Sequence, residues 1–157
     1  MTIPTIQFNF LQPITLRDRT RLKQFLVSLF KKEGKSLGEL QYIFCSDDYL
    51  LDINRQYLNH DYYTDIITFD LSDTFGLADG GHSINAEIYI SVDRVRDNAQ
   101  EFGSSLRQEL HRVIFHGALH LCGYKDKSPT QEKEMRKMEE KYLTLWNVST
   151  WNTRRLK

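Results

Sequence analysis

Residues 84–126, INAEIYISVDRVRDNAQEFGSSLRQELHRVIFHGALHLCGYKD, change their hydrophobic period once, and that change sets the fold class. Over 84–91 the period is two: Ile84, Ala86, Ile88 and Ile90 face one way, and Asn85, Glu87 and Tyr89 the other. This is the pattern of a strand with one covered face and one more accessible face. From about 91 the period becomes helical. A short helix is expected over 91–101 and a strongly amphipathic one over 105–122, with Leu106, Leu110, Val113, Ile114 and Leu121 on one side. Gly123 then suits a helix end with positive φ.

Upstream, Ile6, Phe8 and Phe10 alternate with polar residues as a first strand. Thr15 is a candidate cap for a helix over 16–32, which carries Leu22, Phe25, Leu26, Leu29 and Phe30 at helical spacing and stops at Gly34. Residues 39–45 read as a second strand, and Ser46 caps a helix over 47–58. Residues 65–71 form a third strand, and 72–83 form a loop full of turn formers. Downstream, Ser128, Pro129 and Gln131 make a capping box with a proline start, opening a final helix. Its buried seam is Met135, Met138, Tyr142 and Leu145. The sum is α+β: a small mixed sheet of about four strands packed with about five helices, in one domain spanning 1–157.

Composition is that of a soluble globular chain, 40% hydrophobic and 27% charged, with no net charge. Global charge therefore points neither to nucleic acid nor to a membrane. Its distribution is uneven: residues 61–104 hold nine acids and two bases, and 105–157 hold eleven bases and six acids. The basic ends suit either a polyanion or plain solvated helix faces. Two cysteines, Cys45 and Cys122, are too few for a disulfide framework and fit a reducing cytoplasm, the expected location. The first residues do not read as a signal peptide, and no apolar run is long enough to span a bilayer.

The chemistry sits at the end of the amphipathic helix. His116 and His120 are four apart, so both imidazoles lie on one face, one turn apart, within reach of one ion. A turn at Gly123 can return Asp126 to the same place, although that aspartate also suits a plain turn or a helix cap. Two imidazoles and a carboxylate form a catalytic zinc set with a position left for water, whose pKa the metal lowers towards ~7. The same ligand types suit iron, but nothing else supports oxygen chemistry. Cys122 points off the ligand face and reads as packing. His111 is expected at the surface, and nothing ties His60 or His82 to the site. Zinc proteases carry H-E-x-x-H with the glutamate as general base; here Gly117 follows His116, which argues against peptide hydrolysis.

Three blocks together resemble the YbeY family, metal-dependent endoribonucleases of rRNA maturation. HGALHLCGYKD at 116–126 is similar to the family's H-G-x-L-H-L-x-G-Y-D-H. NRQYLNHDYYTDIITF at 54–69 is similar to N-x-x-Y-R-x-x-D-x-P-T-D-V-L-S-F, and AEIYIS at 86–91 to G-D-I-x-I-S. The resemblance implies a hydrolase with one divalent metal ion, zinc by ligand type, held by His116, His120 and Asp126. It further implies cleavage of single-stranded RNA, an rRNA precursor, with ribosomal subunits or proteins as partners and no membrane. Three departures from the family bear on the site. Its third ligand is histidine where Asp126 stands. Its arginine after the tyrosine is Leu58, which leaves Arg55, one helical turn earlier, as the candidate stand-in beside His116 and His120 in catalysis. Its strand aspartate is Glu87, a candidate neighbour of the site or a solvent-facing residue. A ribosome-associated assembly protein with a mainly structural metal is the alternative; a metalloprotease is the weaker third reading.

Overall fold

A computed structural model describes residues 3–72 and 83–155. The chain runs β1 (Thr5–Phe10), α1 (Arg19–Lys32), β2 (Leu37–Cys45), α2 (Asp47–Leu58), β3 (Ile66–Asp70), β4 (Ile84–Ser91), α3 (Val92–Phe102), α4 (Leu106–Leu121) and α5 (Pro129–Arg155). The sheet order is β1-β2-β4-β3. The β1–β2 and β2–β4 pairs are parallel, and β3 runs antiparallel to β4. This is the α+β architecture expected, with four strands and five helices among the described residues. The 72–83 loop, His82 included, falls largely outside them.

Register explains the core. Ile6 pairs with Leu40 and Leu40 with Ala86; Phe8, Tyr42 and Ile88 line up in the next row, and Phe10, Phe44 and Ile90 in the one after. Because side chains alternate, these rows share one face of the sheet. That face is buried with Leu22, Leu26 and Phe30 of α1, Val113, Ile114 and Ala118 of α4, and Met135, Tyr142 and Trp146 of α5. Across the sheet, Leu50 and Ile53 of α2 bury Cys45 and Ile67, with Phe69 and Tyr89 packed alongside. The Tyr42 hydroxyl donates to the Ile114 carbonyl at 2.9 Å and ties β2 to the middle of α4.

α1 starts later than its periodicity suggests. The amides of Leu11 and Gln12 donate to the Phe44 carbonyl, and Ile14 and Leu16 are buried. Core packing therefore draws this stretch away from the helix, and Thr15 does not cap it. Asp18, at φ 56°, is the N-cap and makes no side-chain cap bond. Its carboxylate instead accepts from Arg21 at 3.0 Å and Arg107 at 3.3 Å.

His111 corrects a second expectation. It is 3% exposed, stacked on Phe115 and edge-on to Trp146. Its place on α4 faces α5 rather than water, and only the tertiary packing reveals that.

Candidate functional site

α4 delivers both histidines at its C-terminal end, and the helix stop aims the chain back at them. The Tyr124 amide donates to the Leu119 carbonyl at 3.1 Å and the Gly123 amide to His120 at 3.1 Å, with Gly123 at φ 109°. A side chain at that φ is strained, so glycine is the residue the turn requires. The reversal sets the Tyr124 carbonyl 3.1 Å from His120 Nδ1. A carbonyl only accepts, so His120 carries its proton on Nδ1 and leaves the Nε2 lone pair free. Asp126 follows, with Oδ2 3.3 Å from His116 Nε2. The expected capping box then opens α5: the Gln131 amide donates to Ser128 Oγ at 3.1 Å, and the Ser128 amide donates back to Gln131 Oε1 at 3.2 Å.

α5 contributes a residue that its seam concealed. Glu139 is buried, and its Oε2 takes the Nδ1–H of His116 at 2.7 Å. Its other oxygen accepts from Arg112 at 3.3 Å, and Arg112 also reaches Glu140 at 2.8 Å. Burial disfavours the His116 imidazolium, but Glu139, with Asp65 and Asp126 behind it, outweighs burial and raises the His116 pKa. Burial raises the pKa of Asp65, opposed by His116 and by its own backbone hydrogen bond and reinforced by Glu139 and Asp126. Glu109, two turns before His116 on α4, is likewise raised by burial despite Arg112. Glu139, Asp65 and Asp126 thus all face His116, an arrangement that concentrates negative potential where a cation would sit.

A cleft of about 290 Å³ opens beside the histidines, lined by Asn54, Leu58, His60, Tyr62, Thr64, Ile66, Ile67, Thr68, His116, His120 and Lys127. His60 therefore belongs with the site, contrary to the sequence reading. Asn59 ends α2 at φ 55°, and the His60 amide donates to the Asn54 carbonyl at 3.1 Å. The buried Asn54 side chain holds the Tyr62 carbonyl at 2.8 Å. The His60 ring stacks on Tyr62, whose hydroxyl lies 3.0 Å from Nδ1. Leu58 lines this cleft where the family has arginine. Arg55 does not line it; it is exposed and bonded to Asp61. Glu87 lies in a separate, larger cleft of about 470 Å³ on the far side of α2, among Tyr57, Phe69 and Tyr89, and accepts from Tyr89 at 3.3 Å. Cys122 is buried packing, as expected.

The donor chemistry fits a divalent ion. Both histidines have Nδ1–H spent on an oxygen acceptor, the usual outer-shell arrangement of metal-ligating imidazoles, and Asp126 is the adjacent carboxylate. Among the described residues, however, no three His, Cys, Asp or Glu groups are already closed around one point that could hold a metal.

Known proteins place the chain in a family. The model of the family described as Endoribonuclease YbeY matches residues 12–147. The chain is 52% identical over 130 residues to an endoribonuclease YbeY of Cytophaga hutchinsonii, covering 83% of this chain and 87% of the relative. It is 47% identical over 143 residues to that of Flavobacterium psychrophilum, covering 91% and 97%. The solution structure of a Thermotoga maritima protein superposes with a TM-score of 0.60 at 28% identity, covering 94% of this chain and 93% of that one. With motifs, fold and these relatives in agreement, the chain belongs to the endoribonuclease YbeY family.

Proposed function

We propose that this chain is a metal-dependent endoribonuclease that cleaves single-stranded RNA during rRNA maturation in the cytoplasm, in contact with ribosomal subunits or proteins. The observation that carries the reading is the paired tethering of His116 and His120 by Nδ1 at one cleft, with Asp126 Oδ2 3.3 Å from His116 Nε2. These three residues would hold one divalent ion, zinc by the nature of the donors. When bound, the ion supplies Lewis-acid charge to a phosphodiester oxygen.

The protein's own residues do the rest. Lys127 stands at the cleft and offers a positive charge to a phosphate. Tyr62 and His60, stacked on each other, offer a platform of the kind on which unpaired bases stack. Glu139 keeps His116 in one tautomer. Arg55 enters catalysis only by exchanging Asp61 for RNA.

A second reading, an assembly factor with a mainly structural metal, draws support from Leu58 in the cleft where the family has arginine. Cleavage of single-stranded and structured RNA by the purified chain separates the two. The enzyme reading expects cleavage that His116→Ala and Asp126→Ala each abolish. Cleavage surviving both substitutions overturns it.

A further inference from the structure

α1 ends in a feature that neither the motif nor the cleft accounts for. Glu33 caps the helix and is followed by Gly34 at φ 73°. Its Oε1 accepts the Tyr124 hydroxyl at 2.7 Å, and its Oε2 accepts the Tyr142 hydroxyl. The partners lie 91 and 109 residues further along the chain. The Tyr124 bond thus pairs a phenol donor with a carboxylate acceptor.

Tyr124 bears directly on one of the two histidines. Tyr124 offers its carbonyl to His120 Nδ1 and lies in the turn that leads to Asp126. Tyr142 is 1% exposed on α5, three residues beyond Glu139, which holds His116. From these contacts we infer that Glu33 is a positioning residue: by anchoring the Tyr124 side chain it fixes the 122–126 turn, and through the Tyr124 carbonyl it sets the Nδ1–H tautomer of His120. Released from that carbonyl, the imidazole can protonate Nε2 instead and lose the atom that faces a metal. The C-terminus of α1 is thereby part of the site, although it contributes no ligand.

The functional weight of this inference rests on the reading of His120 as a metal ligand, but its first test needs no metal. Long-range proton–nitrogen NMR spectra of the metal-free full chain, above the imidazole titration range, report the His120 tautomer directly. The wild type is expected to show Nδ1–H. Glu33→Ala and Tyr124→Phe are each expected to give a mixture, Glu33→Gln (which keeps an acceptor oxygen) a smaller change, and Tyr142→Phe, which leaves the Tyr124 link intact, the least.

Titration with Zn2+ is expected to show about tenfold weaker binding in Glu33→Ala and Tyr124→Phe, with the double variant no weaker than either, because both act through one contact. A folded Glu33→Ala chain with the wild-type tautomer and wild-type Zn2+ affinity overturns the inference. Should Glu33→Ala fail to fold, Tyr124→Phe decides by the same two readouts. A wild type that binds no Zn2+ removes the metal reading, while the tautomer comparison still judges Glu33.

Discussion

His116 Nδ1 and Glu139 Oε2 lie 2.7 Å apart, across the interface between α4 and α5. The contact joins residues 23 apart in sequence and makes α5, which bears none of the three candidate ligands, a support of the site. Replacing Glu139 by leucine keeps the volume and removes the acceptor. Divalent-metal affinity is expected to fall about 10- to 100-fold, the usual effect of losing such an outer partner. Isothermal titration with Zn2+ measures it, and Glu139→Gln is expected to fall less.

Gly117 lies where α4 meets the sheet. A Cβ there would stand 2.9 Å from Ile88 Cδ1, 3.0 Å from Ile66 Cδ1 and 3.1 Å from Ile88 Cγ2. Ile88 is fully buried, so the contacts have little room to relax. Gly117→Val is expected to lower stability by about 1–3 kcal/mol in urea unfolding. The same geometry leaves no room for a protease-type glutamate: a side chain at 117 runs into Ile88 and Ile66.

His111 gives the fold an acid-sensitive element. Burial, with Arg107 adding and Asp18 opposing, lowers its pKa to about 4. In the unfolded chain it titrates at about 6.5, so the unfolded state takes up the proton first as pH falls. Its contribution is therefore intact above about 6.5 and lost progressively down to about 4, by up to about 3 kcal/mol. Denaturant midpoints at pH 7 and pH 4.5 are expected to differ less in His111→Phe than in the wild type.

The capping box at the start of α5 supports the helix that carries Glu139. Ser128→Ala removes the acceptor of the Gln131 amide and is expected to cost about 1 kcal/mol. A urea titration followed by circular dichroism checks it; an unchanged midpoint would mean that the box does not stabilise α5.

Local patterns made most of the fold legible. The alternation in 84–91, the Ser46 cap and the Ser128–Gln131 box each depend on neighbours a few residues away, and each stands where it was expected. What stayed hidden depends on distant partners. The α1 start is displaced because Ile14 and Leu16 enter the core, and His111 is buried by Trp146 of α5. The candidate site divides in the same way. His116 and His120 are legible from helical spacing. His60 reaches their cleft only through the turn after α2, with no spacing to signal it. Glu139 did leave a trace: it occupies a core position between Met135 and Tyr142, where a buried acid calls for a partner.

The central claim is that one divalent ion at His116, His120 and Asp126 drives RNA cleavage. The most direct measurement follows cleavage of a labelled single-stranded RNA while the chelated protein is titrated with Zn2+, with bound metal determined in the same samples. The expected result is no cleavage by the metal-free chain, a rate rising in proportion to occupancy up to about one ion per chain, and neither binding nor cleavage in His116→Ala. Full cleavage by the metal-free chain, or a rate that does not follow occupancy, would contradict it.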